Sequence, residues 1–230
     1  MSWRLPLTRP DASYFFSIEG IDGSGKTTQC RSVKEHLLAL DLPVIQTRDP
    51  GGTAAGEAIR NLLLFEKADL SITAQVLLFF AARVQALNEV IRPSLLDGKI
   101  VMTDRHTLST LAYQGYGLAK GDEGTLEMIS TLDRTMPVRP DITFWLDVPV
   151  SISSQRTEAR NAGSDRLESN GADFFERVRT GYSEAWKKNP ERIIRIDGTK
   201  EQSLITLEII SILKQSMTEK AILSARRLGS

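Results

Sequence analysis

The sequence contains, directly after an apolar run, the stretch Gly20-Ile21-Asp22-Gly23-Ser24-Gly25-Lys26-Thr27. It fits the pattern G-x-x-x-x-G-K-[ST], in which glycines let successive backbone N–H groups turn inward around phosphate oxygens. Lys26 is expected to neutralise β- and γ-phosphate oxygens, and the Thr27 hydroxyl is expected to face a Mg²⁺ ion. The helix that begins here points its positive end at the same phosphates. The stretch therefore predicts a nucleotide-binding loop between a strand and a helix.

Short apolar runs alternate with longer amphipathic stretches along the chain, which is the pattern of a parallel sheet with crossover helices. The predicted strands are Tyr14–Glu19, Val44–Arg48, Ile100–Asp104, Ile142–Asp147 and Arg192–Asp197. Four of them end in an acid and one ends in an arginine, so charge collects at the carboxyl edge of the sheet, where open α/β sheets bind ligands. Asp104 has the position expected of the aspartate on the Mg²⁺ side of such a site.

The fold predicted from this pattern is α/β: a five-stranded parallel sheet flanked by helices. The predicted helices are Lys26–Leu40, Ala54–Leu64, Thr73–Leu96, Glu123–Thr135, Ser151–Arg160, Phe174–Lys187 and Glu201–Gln215. We expect one domain over residues 14–217, an extension over 1–13, and a tail over 218–230 in which the last helix continues only briefly. The polar stretch from Asn161 to Gly171 has no hydrophobic period, which predicts a mobile segment.

The composition limits the class of protein. The chain has 230 residues, 41% of them hydrophobic, and a formal net charge of zero, so no overall basic field exists to hold nucleic acid or an anionic membrane. Cys30 is the single cysteine, which excludes an internal disulfide framework and favours a reducing compartment, the cytoplasm. Met1 to Pro10 contains no continuous apolar stretch, so we expect neither a signal peptide nor a membrane anchor there.

A phosphate loop does not by itself name the reaction, and three classes compete. A guanine-nucleotide switch would show an Asn-Lys-x-Asp segment, which is absent. A motor or partitioning ATPase stays as a remote alternative, because no basic surface suggests its partner. A small-molecule kinase needs a second anion site and a base pocket. Arg48 and Arg105 at strand ends suit the anion site, while Phe79 and Arg83, four residues apart on one helix face, are candidates for the pocket.

Taken together, these segments resemble the thymidylate kinase family, within the nucleoside monophosphate kinase group. The resemblance extends from about Tyr14 to Gln215. It is carried by FSIEGIDGSGKTTQ, TRDPGGT, LFFAAR, DRH with Ser109 and AYQG, and DRLE, which begin at Phe16, Thr47, Leu78, Asp104 and Asp165. Gly23 stands where some members carry an arginine, so the bacterial type is the better match. Asp49 replaces the family's usual glutamate.

The resemblance implies a role for each matching residue. The phosphate loop, with Thr28 after Lys26 and Thr27, binds ATP, and Thr27 and Asp104 face Mg²⁺. Phe79 stacks on thymine and Arg83 donates to a thymine carbonyl, while Gln114 and Ser109 complete base recognition. Tyr113 lies near the sugar 2′ position and excludes a ribose hydroxyl, and Asp22 contacts the 3′-hydroxyl or its neighbouring water. Arg48 and Arg105 hold the acceptor phosphate.

The implied activity is transfer of the γ-phosphate of ATP to thymidine monophosphate by a homodimer, with Lys26, Arg105 and lid arginines as the catalytic cations. The resemblance also implies a mobile lid over about residues 155–171, in which Arg160 and Arg166 are the candidates, with Arg156 in reserve. The alternatives that stay open on the same scaffold are a kinase for another nucleoside monophosphate or for a deoxynucleoside, and a module that senses nucleotide without turnover.

Overall fold

The computed structural model of the protein describes residues 10, 13–66, 68–159, 167 and 170–228, with side chains as far as residue 220. Most of the predicted extension over 1–13, Arg160 and Arg166 lie outside the described residues.

The centre of the fold is a five-stranded parallel sheet with strand order β2-β3-β1-β4-β5. The strands are β1 (Tyr14–Glu19), β2 (Val44–Arg48), β3 (Ile100–Asp104), β4 (Ile142–Asp147) and β5 (Ile193–Asp197). Ile18 of β1 and Arg48 of β2 both align with Asp104 of β3. The register therefore brings the ends of three strands to one edge, directly beside the phosphate loop, and the predicted fold is confirmed.

Helices cover both faces of this sheet. They are α1 (Lys26–Ala39), α2 (Ala54–Leu64), α3 (Ile72–Ala86), α4 (Arg92–Leu96), α5 (Thr107–Thr110), α6 (Glu123–Thr135), α7 (Val150–Ala159), α8 (Ala172–Lys188) and α9 (Gln202–Leu228), with π-helical segments at Leu87–Ile91 and Leu111–Leu118. On one face, α1 and α9 pack on the β1 side chains of Tyr14, Phe16 and Ile18. On the other, α8 packs with Trp145 of β4. Burial on both faces explains why the strands read as nearly continuous apolar runs.

Three helical segments differ from the sequence prediction. The predicted helix over Thr73–Leu96 is interrupted by the π-helical turn Leu87–Ile91, where the Arg92 N–H donates to the Leu87 carbonyl. Pro93 lacks the N–H that an α-helix would use next, which accounts for the widened turn before it. Residues 107–118 are helical although no helix was predicted there. The prediction of a brief last helix was wrong, since α9 continues to Leu228.

The helical stretch Ile72–Leu96 is long and apolar enough to cross a bilayer by length and composition, because an 18-residue window within it has a mean hydropathy of 1.3. Half of this window is buried inside the protein, where Val76, Phe80 and Leu87 pack in the core. The stretch is a core helix of the domain.

The contact between α8 and the segment Leu111–Leu118 depends on Gly181. A Cβ placed there would lie 2.9 Å from the Tyr116 ring and 3.0 Å from the Ala112 Cα. We expect Gly181→Ala to lower the free energy of unfolding by about 1–3 kcal/mol, because the helices must move apart. Gly124→Ala, at an exposed position of α6, is the matched control, and it should be neutral or stabilising by up to about 1 kcal/mol. Urea denaturation measures both, and equal effects would contradict the packing argument.

Candidate active site

The phosphate loop joins β1 to α1 in the predicted setting. Gly23 and Gly25 have φ values of 76° and 95°, in the left-handed region that favours glycine. A Cβ on Gly23 would also collide with the Ser153 carbonyl of α7. The buried Lys26 ammonium donates to the Ile21 carbonyl at 2.9 Å. Burial lowers the pKa of Lys26 to about 8, and the nearby Arg105 adds to this effect, so a bound phosphate would favour its charged form.

Two oxygen ligands suited to Mg²⁺ lie beside the loop. The Thr27 hydroxyl donates to Asp104 Oδ2 at 3.1 Å, and both residues line the same cavity. No group of three or more His, Cys, Asp or Glu side chains in the described residues forms a complete metal cage. A hydroxyl and one carboxylate fit Mg²⁺, which takes its remaining ligands from phosphates and water.

Arg105 connects the end of β3 to the phosphate loop. Its backbone is left-handed, with φ 71°, and its partly buried guanidinium forms an ion pair with Asp22. It also donates to the Gly20 carbonyl at 2.9 Å. Burial alone would raise the pKa of Asp22, but Arg105 and Lys26 together hold it below its ordinary value. The segment after β3 is thereby fixed against the loop that binds phosphate.

Tyr113 packs on the same ion pair. Its hydroxyl donates to Asp22 Oδ2 at 2.7 Å and accepts from Arg105 at 3.1 Å, and the guanidinium lies 4.8 Å from the ring centroid. Burial raises the pKa of Tyr113 well above its usual range, so its hydroxyl stays protonated. Asp22, Arg105 and Tyr113, predicted from separate segments, form one connected group.

The base-side candidates lie along α3 and the segment that follows α5. Arg83 is 2% exposed, and its Nε donates to Asp49 at 2.5 Å while Nη2 donates to Thr110 at 2.9 Å. Its Nη1 has no partner among the described residues. Phe79 and Gln114 line the same cavity, and the Gln114 amide lies 3.5 Å from Gln75. Asp49 is therefore the ionic partner of Arg83, and the Nη1 group of Arg83 is left to donate to a ligand.

Arg48 and Ser109 are placed less simply. Arg48 lines the cavity, but its guanidinium is bound at 2.7 Å to Glu57. The Ser109 hydroxyl is buried and directed towards Glu19 at 2.5 Å, with Arg105 at 3.0 Å on its other side. Both residues are at the site, each already bound to other side chains.

One cavity of about 780 Å³ unites these groups. Its lining includes the predicted residues Asp22, Gly23, Gly25, Lys26, Thr27, Thr28, Arg48, Phe79, Arg83, Asp104, Arg105, Ser109, Tyr113, Gln114 and Arg156. Arg156, the reserve lid arginine, donates to the Gly198 carbonyl at 3.0 Å. The phosphate loop and Arg105 therefore line the same cavity.

Comparison with known proteins identifies the family of the chain. Residues 18–209 match the family described as thymidylate kinase. The chain belongs to the thymidylate kinase family. It is 41% identical to the thymidylate kinase of Kosmotoga olearia over 198 residues, which cover 85% of this chain and 93% of the relative. It is 42% identical to that of Acinetobacter baylyi over 201 residues, with 85% and 96% covered.

A crystal structure of thymidylate kinase from Ehrlichia chaffeensis shares the fold, with a TM-score of 0.69 at 37% identity. The match covers 88% of this chain and 98% of that one. Membership of the thymidylate kinase family makes the protein an ATP-dependent phosphotransferase, and the family uses ATP as its substrate, typically with Mg²⁺.

Several site residues were missed by the sequence interpretation. Asp49 and Thr110 are the partners of Arg83, Arg60 lines the cavity and donates to the Pro50 carbonyl at 3.0 Å, and Glu19 and Tyr182 hold the Ser109 hydroxyl. Glu19 is an acid at the end of a buried strand, which was a usable signal. The others depend on contacts between distant segments that no local pattern contains.

The Asp49–Arg83 pair and the Arg48–Glu57 pair provide a matched test of burial. The side chains of the first are 6% and 2% exposed, and those of the second are 54% and 39% exposed. We expect Asp49→Asn to lower the free energy of unfolding by about 3 kcal/mol, because Arg83 loses its buried counter-ion. Glu57→Gln should cost less than about 1 kcal/mol. Similar losses in chemical denaturation would show that burial does not govern these pairs.

Proposed function

We propose that this protein transfers the γ-phosphate of ATP to thymidine monophosphate, giving thymidine diphosphate and ADP. The observation that carries the proposal is one cavity lined both by the phosphate loop with Lys26 and by Arg105, Phe79 and Arg83. A hydrolase would need only the first set. A cavity with a second cation and a flat aromatic beside an unpaired donor suits a nucleotide acceptor.

On the donor side, the loop binds the phosphates of ATP. The residues proposed for this are Gly20, Ile21, Asp22, Gly23, Ser24, Gly25, Lys26, Thr27 and Thr28. Lys26 leaves the Ile21 carbonyl and binds the β- and γ-oxygens. Thr27 and Asp104 hold Mg²⁺, which neutralises phosphate charge when bound.

On the acceptor side, Arg105 binds the phosphate of thymidine monophosphate mainly with its Nε–H, because Nη1 donates to Gly20 and Ser109 and Nη2 to Asp22 and Tyr113. Arg48 joins it by exchanging Glu57 for the phosphate, which is feasible because that pair is exposed. Asp22 contacts the 3′-hydroxyl, and Tyr113 occupies the space that a ribose 2′-hydroxyl would need. Both roles are supported by the 2.7 Å bond that keeps these two side chains together.

The base is recognised by stacking and by amide chemistry. Phe79 supplies the stacking face, and Arg83 Nη1 supplies the unpaired donor for a thymine carbonyl. The Gln114 amide, with Ser109 nearby, completes the contacts to the polar edge of thymine. An unpaired buried donor costs free energy unless a ligand satisfies it, so a base that carries a carbonyl at this point is preferred.

Phosphoryl transfer depends on positioning and charge neutralisation more than on a general base. The acceptor phosphate oxygen is already negative, and the transition state of phosphoryl transfer is loose, with charge on the equatorial oxygens. Lys26 and Arg105 approach the transferred group from two sides, and a lid over about residues 155–171 adds Arg160 or Arg166, with Arg156 as the alternative. Closure of that lid would exclude water and suppress hydrolysis.

The assembly proposed is a homodimer that acts in the cytoplasm, on nucleotides and not on nucleic acid or membranes. Leu77 and Val84, seven residues apart on the outer face of α3, are 50% and 37% exposed. An apolar strip of this kind suits a second copy of the chain.

Acceptor dependence tests the function directly. We expect ADP release from ATP and Mg²⁺ to be strong with thymidine monophosphate, weaker with deoxyuridine, cytidine and adenosine monophosphates, and near background without an acceptor. Lys26→Ala is the control and should lose at least about 10²-fold in kcat. Release that is independent of acceptor would indicate an ATPase, and preference for another monophosphate would reassign the base pocket.

Gln114 provides a test of the base pocket alone. Gln114→Leu preserves volume but removes the amide, so we expect the KM for thymidine monophosphate to rise roughly 10- to 100-fold while the KM for ATP stays within about twofold. Gln215→Leu, at an exposed position of α9, should change neither. A rise in the KM for ATP alone would move the thymine site elsewhere.

A further inference from the structure

Glu19, the last residue of β1, has no role in the phosphate loop that follows it, yet it is completely buried beside the site. Its Oε1 accepts the His106 backbone N–H at 2.8 Å. Its Oε2 accepts the Ser109 hydroxyl at 2.5 Å and lies 3.3 Å from the Tyr182 hydroxyl. Glu19 therefore contacts the segment that carries Arg105 without touching the Arg105 guanidinium.

The hydroxyls between Glu19 and Arg105 have a fixed direction. Arg105 Nη1 lies 3.0 Å from Ser109 Oγ and 3.3 Å from the Tyr182 hydroxyl. A guanidinium can only donate, so these oxygens must accept from it. Each hydroxyl has one hydrogen of its own, and an ionised Glu19 accepts the hydrogen of Ser109. The order of donation thus runs from Arg105 to Ser109 to Glu19.

Tyr182 is positioned to take part in this series of hydrogen bonds. Its ring stacks on Trp145 with centroids 6.0 Å apart and an interplanar angle of 13°. Its hydroxyl lies 2.9 Å from Ser109 Oγ and 3.3 Å from the Gly20 carbonyl. Tyr182 is fully buried, so it does not reach the cavity and cannot contact a nucleotide there.

We propose that Glu19, acting through Ser109 and Tyr182, is a positioning residue that orients Arg105 towards the acceptor phosphate, and that it does so in its ionised form. The proposal rests on the proposed function, in which Arg105 binds that phosphate. It also gives Ser109 a role different from base recognition. Asp22 and Tyr113 contact one side of the Arg105 guanidinium, and the hydrogen bonds that lead from Glu19 through Ser109 and Tyr182 fix the other side.

The surroundings of Glu19 determine when it is ionised. The ionisable groups that interact with it include Arg105 and His106 after β3, Asp49 after β2, Lys26 on α1 and Tyr182 on α8. Arg139 and Arg192 line a second cavity that Glu19 borders. Burial raises the pKa of Glu19 to about 7, and burial also keeps the pKa of His106 well below its usual range, so His106 is neutral. As the pH falls through about 7, Glu19 gains a proton and becomes a donor itself, which breaks the order of donation.

The test is Glu19→Gln in the full chain, with KM and kcat for both substrates measured between pH 6 and 9. At pH 8 we expect the KM for thymidine monophosphate to rise about tenfold or more, as for loss of a bond to a charged group, with the KM for ATP within about twofold. The wild type should lose kcat/KM for the acceptor as the pH falls through about 7, and the variant should lack that step. Titration of the substrate phosphate near pH 6 occurs in both proteins, so the difference isolates Glu19.

Asp141→Asn is the matched control. Asp141 likewise accepts a backbone N–H, from Phe15 at 2.9 Å, but at the opposite edge of the sheet, so its loss should leave both KM values and the pH profile unchanged. Tyr182→Phe is the second variant, because it removes only a buried hydroxyl. Like Glu19→Gln, it should raise the KM for thymidine monophosphate.

The outcomes separate this inference from the proposed function. If the wild type does not phosphorylate thymidine monophosphate, the proposed function fails. If the wild type is active and folded Glu19→Gln keeps both the KM for the acceptor and the pH profile of the wild type, the positioning role is overturned. If circular dichroism shows that Glu19→Gln does not fold, the test rests on Tyr182→Phe. An unchanged KM for thymidine monophosphate in that variant then overturns the positioning role.

Discussion

The ion pair between Arg105 and Asp22 joins the two halves of the site. Asp22 belongs to the loop after β1, Arg105 follows β3, and these strands are neighbours in the sheet. Because both side chains are only 17% and 18% exposed, each charge helps to offset the other's loss of hydration. In the proposed function the pair places a cation for the acceptor beside the loop for the donor, and Tyr113 and Gly20 bind to the same group. The positions of Lys26, Thr27 and Asp104 relative to the acceptor side follow from this link.

The charges of the site are balanced within the protein before a nucleotide binds. Lys26 is held by the Ile21 carbonyl, Arg83 by Asp49 and Arg48 by Glu57. Such partners fix the direction of each cation, so little reorganisation remains when phosphate arrives. The pairs also differ in exposure: Glu57 is exposed, whereas Asp49 is buried in the pocket wall. This difference is why the proposed function lets Arg48 exchange its partner for a phosphate but keeps Arg83 bound to Asp49.

The sequence was informative where the signal is local and failed where it is not. The strands β1 to β4 and the helices α2 and α6 have the predicted bounds, because apolar runs and helical periods were bounded by clear turn residues. The helical segment after Thr107 was missed because Ser109, Thr110, Gly115 and Gly117 give it a poor helical composition, and packing against α8 forms it instead. The Asp49–Arg83 pair spans 34 residues and the Glu19–Tyr182 contact spans 163, so neither could be read from spacing. The predicted roles of Arg160 and Arg166 remain predictions.

The central claim, that donor and acceptor phosphates meet in one cavity between Lys26 and Arg105, is tested most directly by calorimetric titration with a compound in which adenosine and thymidine are joined through five phosphates. The account predicts one molecule bound per chain, with an affinity at least about 10²-fold above that of the better single nucleotide, because the second contact becomes intramolecular. An affinity no greater than that of the better single nucleotide would contradict it, since the two sites would then be too far apart, or wrongly oriented, for direct transfer.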